Sequence, residues 1–213
     1  MSAMNAPHQL DATTEERREL NITKLGLYAL GIILVASVVV GELYPALTSI
    51  MCMFLVVLPV IARRKWCMPL PWTMALLTVA VTVLHSAGIL FKAYDMVWWW
   101  DHMTHFMATS VLAVAANLAI LVRGRQAVPR ALPVQYVPLI SLGLVIVLGM
   151  VWEAAEFAAD QIFYLRTQYS LDDTAIDLSV DILGGVLVTI VIPPYLERLE
   201  DDYGICPVSP AEP

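Results

Sequence analysis

Charge is scarce in this chain. Only 15% of its 213 residues are Asp, Glu, Lys or Arg, against about 25% in soluble globular domains, which excludes an ordinary water-soluble fold. Cysteine is equally thin: Cys52, Cys67 and Cys206 fall in an apolar block, a basic connection and the C-terminal stretch. That spread supplies neither a disulfide framework nor a CxxC metal motif. No basic stripe is present, and cations occur in small clusters between apolar blocks, so nucleic acid is excluded as a partner. The first 24 residues hold no short apolar run closing on an A-x-A-like site; a cleaved signal peptide is not expected, and the first span itself would direct insertion. Apolar residues do not alternate along the chain, which excludes a closed β-barrel. No internal repeat is visible, so the chain reads as one domain.

What is there is hydrophobicity in blocks. Apolar residues make up 59% of the chain, and they gather into runs near the ~20 residues needed to cross ~30 Å of hydrocarbon. The runs cover about residues 25–43, 46–62, 70–91, 96 or 101–122, 134–159 and 174–192. Tyr44-Pro45, Arg63-Arg64-Lys65, the loop with Arg123, Arg125, Pro129, Arg130 and Pro133, and Pro193-Pro194 punctuate them. The pattern predicts an all-α polytopic membrane protein with a six-helix transmembrane bundle. Residues 1–24 form a polar cytoplasmic tail, residues 25–195 the six-span domain, and residues 196–213 a second cytoplasmic tail.

Orientation follows from the basic residues. With the N-terminus inside and six spans threaded, Arg17, Arg18, Lys24, Arg63, Arg64, Lys65, Arg123, Arg125, Arg130 and Arg198 lie in the cytoplasm. Of the twelve Lys and Arg residues, that leaves Lys92 and Arg166 outside. Such a bias predicts both termini in the cytoplasm. Aromatic belts agree: Trp98-Trp99-Trp100, Tyr164 and Tyr169 mark the outer interface, and Trp66 and Trp72 the inner one.

Acidic and histidine residues then converge on the outer side. Asp101, His102 and His105 open the fourth span; Glu153, Glu156 and Asp160 close the fifth; Asp172, Asp173, Asp177 and Asp181 open the sixth. Asp101 and His105 are i,i+4 and share a helix face, as do Glu153 and Glu156 at i,i+3. Asp173, Asp177 and Asp181 form an acidic edge along which Asp181 lies about 12 Å deeper than Asp173. Gly184 and Gly185 continue that face and permit close helix approach. An ionisable side chain at such depth costs roughly 2.5–3.5 kcal/mol on insertion scales. So many carboxylates together must hold protons, bind cations or stay hydrated. A divalent metal resolves the repulsion most directly, with Asp101, His105, Glu153, Asp177 and Asp181 as ligands. Mixed His and carboxylate donors suit zinc, manganese or iron; carboxylates alone suit magnesium or calcium. Glu156 and His102 are then left to move protons.

Plainer readings apply to several of these residues. Asp172 or Asp173 serves equally well as a helix cap, and Asp101 less so. Glu42 is simply solvated, and His85, alone in its block, reads as a hydrogen-bonded structural histidine. The tryptophan triplet reads as an interfacial belt before it reads as a substrate platform.

The order Asp101-His102-x-x-His105-Phe106, Trp152-Glu153-x-x-Glu156 and Asp173-Thr174-x-x-Asp177-x-x-x-Asp181-x-x-Gly184 resembles the YjdF-type family of bacterial inner-membrane proteins. The likeness spans most of the helical portion. It implies the bacterial cytoplasmic membrane as location. A looser resemblance ties Asp101, His105, Glu153, Asp177 and Gly184 to the VanZ-like proteins associated with glycopeptide-antibiotic resistance. This chain departs from that pattern with Glu156 in place of Gln and Asp181 in place of Asn, two added negative charges that favour a metal or proton role.

Three functions are open at this level. One is a metal-dependent enzyme acting on an envelope lipid or lipid-linked substrate at the outer leaflet. Another is a small proton- or cation-coupled transporter titrating Asp177 and Asp181, against which the lack of repeats and broken helices weighs. The third is a non-catalytic membrane factor whose acidic residues hold helices together. Membrane lipids are partners in all three.

Overall fold

The computed structural model describes residues 6–66, 68, 70–127, 133–165, 167–168 and 170–202, with side chains from residues 14–122 and 133–199 of these. Cys67, Pro129, Arg130, Arg166, Tyr169 and Cys206, and the side chains of Arg123 and Arg125, fall outside this set. Among the described residues the chain is helical, with no strand: α1 (Ala6–Val40), α2 (Leu43–Trp66), α3 (Trp72–Leu90), the single turn α4 (Ala93–Met96), α5 (Trp100–Ala127), a 3₁₀ turn (Val134–Tyr136), α6 (Val137–Phe163), α7 (Leu171–Val191) and α8 (Pro193–Asp202). Six of these helices are long and apolar enough to span a membrane. The all-α, six-span expectation therefore holds. The chain divides into two compact units, Met1–Trp100 and Asp101–Pro213.

The element boundaries have local causes. Helix α1, at about 52 Å, exceeds the hydrocarbon thickness because it takes in residues that read as a polar tail. It ends at Gly41, whose φ of +84° favours glycine because a Cβ is strained there. The Gly41 N–H donates to Val38 O at 3.1 Å and the Glu42 N–H to Ser37 O at 2.9 Å, the paired closure of a Schellman motif. The break expected at Tyr44-Pro45 is thus made earlier. Pro45 lies in the first turn of α2, where its missing N–H is an orphan position anyway. Gly41→Val is expected to cost about 1 kcal/mol, measured as thermal unfolding in detergent. Pro193-Pro194 acts doubly, ending α7 and supplying the first turn of α8.

Exposed apolar faces describe the solvent. On α1 the residues Tyr28, Ile32, Val35 and Val39 are more than 60% exposed, a helical stripe tolerable only in lipid. Lipid tails are as apolar as leucine, so helices here associate through packing and polar contacts rather than transfer from water. In the first unit Leu30, Ile33, Cys52 and Val56 form the core, ringed by Leu27, Met53, Val79, Val83 and Leu90. Ser49 and Ser86 join α2 to α3 through a buried hydroxyl pair at 2.6 Å. At one end of this unit Arg63 pairs with buried Glu19 and donates to Leu70 O. There Glu15 accepts from the Trp72 N–H at 3.3 Å, and the Arg18 guanidinium lies 5.7 Å from the Trp72 ring. Beyond the other end of α3 come exposed Trp98 and Trp99, an aromatic girdle about 28 Å away by helical rise.

In the second unit, α6 and α7 pack together. Gly184 lets α7 approach the α5 backbone: a Cβ there would lie 2.9 Å from Phe106 O. Gly185 faces Leu142 and Val145 of α6 instead. The expected close packing at both glycines is thus present, with a different neighbour for each. Deeper down, Asn117 Nδ2 donates to Ser141 Oγ at 2.9 Å and stitches α5 to α6.

Candidate metal centre

Three helix segments of the second unit supply the chemistry: the first turns of α5, the C-terminal half of α6 and the N-terminal half of α7. The first turn of α7 is set by Ser170, whose hydroxyl accepts from the Asp173 N–H at 3.1 Å. Asp172 and Asp173 are therefore not the cap; they occupy the first turn, where the helix dipole favours negative charge. Asp177 and Asp181 follow on the inward face, 2% and 3% exposed. Asp101 opens α5, with His102 beside it and His105 one turn later, largely buried.

The side chains meet across the helices. His102 Nδ1 lies 3.1 Å from Asp177 Oδ1. His105 is gripped from two sides: Nδ1 lies 3.3 Å from Asp181 Oδ1, and Nε2 lies 3.6 Å from Asp101 Oδ1. The first distance fits a hydrogen bond between a ring N–H and a carboxylate. The second is too long for one, yet close to the roughly 3.3 Å that separates two donors on a tetrahedral zinc. Two sets of donor atoms lie mutually within 4.8 Å: Asp101, His105 and Asp177, and His105, Glu153 and Glu156. His105 belongs to both sets. Glu153 is 5% exposed, and its Oε1 finds no hydrogen-bond partner among the described residues. A buried carboxylate oxygen without a donor is costly, and a cation at this point would satisfy it.

Each residue singled out in the sequence now has a position. Asp101, His105, Glu153 and Asp177, read as ligands, lie in the two donor sets, and so does Glu156, read as a proton carrier. His102 touches Asp177 from the margin. Asp181 is in neither set; its Oδ1 accepts from Thr109 Oγ1 at 2.5 Å and faces His105 Nδ1. Asp160 leaves the stripe. Its carboxylate accepts from the N–H groups of Thr167 and Gln168, at 2.9 and 3.0 Å, and from the Thr167 hydroxyl at 2.7 Å. Those bonds fasten the connection after Tyr164, which closes α6 in a left-handed conformation (φ 55°). Asp160→Ala is expected to lower stability by about 1–3 kcal/mol while leaving metal content unchanged, as thermal melts and elemental analysis would show. His85 is hydrogen-bonded as expected, its Nδ1 2.5 Å from Tyr94 Oη. Thr109 and Gly149 were not legible beforehand. Thr109 sits one turn beyond His105 on the same face, and a Cβ on Gly149 would lie 2.8 Å from Asp181 Oδ2.

Residues 22–198 match the family described as "Predicted membrane protein (DUF2238)". The chain belongs to this family. All the site residues above fall inside the matched stretch, and the six spans agree with the family's description: this is a multi-pass membrane protein. An uncharacterized protein of Thermotoga maritima is 26% identical over 173 residues, which cover 79% of this chain and 87% of that protein. No solved structure matches the chain.

Proposed function

We propose that this protein is a metal-dependent enzyme of the bacterial cytoplasmic membrane, acting on an envelope lipid or lipid-linked substrate at the outer leaflet. The reading places both termini in the cytoplasm, as the distribution of basic residues favours, and turns the α5–α6–α7 cluster outward. The observation that carries it is the convergence of Asp101, Asp177, Glu153 and Glu156 on one imidazole, His105. With Nδ1 engaged by Asp181, a single nitrogen, Nε2, is left for both donor sets, so the reading is one cation per chain rather than two. The cation would supply Lewis acidity and a nucleophilic water at neutral pH. Glu156, partly exposed beside Glu153, is the carboxylate placed to take a proton from that water, and His102 to return one to the leaving group. Exposed Ile162, Phe163, Tyr164 and Leu171 at the adjoining helix ends suit the headgroup region, where a lipid substrate would enter.

A proton-coupled transporter would need a polar route beyond the site. Inward of Asp181, Val145 on α6 and Val188 on α7 are buried and apolar, and the buried Asn117–Ser141 pair between α5 and α6 carries no titratable group, which favours a blind pocket over a proton relay. Metal analysis of the purified chain in detergent tests the proposal. About one zinc, manganese or iron per chain is expected, and Asp177→Ala should lose it. Glu156→Gln should keep the ion yet lose about 100-fold or more of turnover on a bacterial lipid extract, followed by mass spectrometry. A protein free of metal, with a melting temperature indifferent to chelator, would sink the reading.

A further inference from the structure

Asp181 is the deepest carboxylate of the cluster, and its surroundings differ from those of the other four. Its Oδ1 receives the Thr109 hydroxyl at 2.5 Å and stands 3.3 Å from His105 Nδ1. Its Oδ2 rests against the bare Cα of Gly149, where a Cβ would come within 2.8 Å. A carboxylate held by a hydroxyl on one side and walled by backbone on the other has one orientation. Thr109 and His105 are i,i+4 on α5, so both reach the same oxygen from one helix face.

We propose that Asp181 is a positioning residue for His105, locking the proton on Nδ1 so that Nε2 alone faces the cation, and that this fixed nitrogen makes the site take manganese or zinc in preference to magnesium. The inference rests on the metal reading above and assigns Asp181 a role different from that of a ligand. Imidazole suits first-row transition ions, whereas magnesium is held by oxygen donors and water. Without a fixed nitrogen the remaining donors are all carboxylates, a set that discriminates poorly against magnesium. Outer partners of this kind, which orient a ligating histidine, typically contribute 10–100-fold in metal affinity.

The test uses the full chain in detergent with ¹⁵N-labelled histidine, His105 being assigned by the signal lost in His105→Gln. Ring-nitrogen shifts of the metal-free wild type should show the proton on Nδ1, and Asp181→Ala should release it to a mixture of both tautomers. Manganese titration should weaken about 10–100-fold in Asp181→Asn and Asp181→Ala, with magnesium affinity nearly unchanged, so the manganese-to-magnesium ratio falls. Gly149→Ala should act in the same direction, since it displaces the carboxylate and removes no donor. Thr109→Ser, which keeps the hydroxyl, should match the wild type, while Thr109→Val should not; this pair guards against a variant that merely misfolds. A wild-type His105 protonated on Nε2, or a folded Asp181→Asn with unchanged manganese affinity, overturns the positioning role. A wild type that binds neither manganese nor zinc overturns the metal reading and the ion preference with it, whereas the tautomer reports on Asp181 by itself.

Discussion

His105→Ala is expected to abolish transition-metal binding, by more than the roughly hundredfold that loss of an outer partner can cause. The substitution removes the one imidazole shared by both donor sets and leaves Asp101, Glu153, Glu156 and Asp177 around a void. Asp181 also loses the partner 3.3 Å away, while the Thr109 hydroxyl still donates to it. Stability should fall as well, since buried carboxylates that lose a compensating group cost several kcal/mol when a pair is broken, about 3–5 kcal/mol. Two readouts separate the effects: metal content of the folded fraction, and the melting temperature before and after chelation. In the wild type, chelation should lower the melting temperature; in His105→Ala it should change nothing. His85→Ala provides the control. It breaks the contact with Tyr94 in the first unit, and it should leave metal content intact. Equal metal in His105→Ala and the wild type would remove this histidine from the centre.

The number of spanning helices was legible because the bilayer imposes a coarse rule. Runs of about 20 apolar residues have no other inexpensive fate, and six such runs appear as six spans. Their ends were less legible, since chain geometry decides them locally. Tyr44-Pro45 looks like a stop, but Gly41 closes α1 first because its positive φ lets two N–H groups reach back to Val38 and Ser37. The polar residues before position 25 look like a tail, yet α1 includes them from Ala6 onward, and Glu15, Glu16 and Glu19 meet Trp72, Arg64 and Arg63 there. No periodicity announces pairs so distant in sequence.

The site was legible at the level of faces and no finer. Spacing of four residues put Asp101 with His105 and Asp177 with Asp181, and each pair does share a face. Which carboxylate meets which ring nitrogen depends on helix rotation and crossing, and these are set by small residues. Gly149 admits Asp181 against α6, and Gly184 admits α7 against α5. Asp160 shows the same limit from the other side. It continues the Glu153–Glu156 stripe by spacing, but the loop N–H groups of Thr167 and Gln168 are nearer and better donors. Backbone N–H groups need an acceptor, and this carboxylate is the one within reach of them.

Gly184→Val is therefore expected to be the most damaging substitution that removes no polar group. A Cβ at position 184 would lie 2.9 Å from Phe106 O and 3.1 Å from Ser110 Oγ. Neither can move freely: the first is helix backbone, and the second already donates to that same oxygen at 2.7 Å. Relief must come from α5 and α7 moving apart. Overpacking by one methyl costs about 1–3 kcal/mol, and a branched side chain adds to it. Phe106 directly follows His105, and Gly184 follows Asp181 by one helical turn. Separation at this level thus stretches His105–Asp181 and His102–Asp177, now 3.3 and 3.1 Å. Gly184→Val should lower both the melting temperature and the bound metal, with Gly184→Ala intermediate in each. Gly143→Ala on α6, where a Cβ would meet nothing within 4 Å, should be neutral in metal content and slightly stabilising through helix propensity. A Gly184→Val protein that melts like the wild type and retains its metal would show that α5 and α7 do not depend on this contact to bring histidine and carboxylate together.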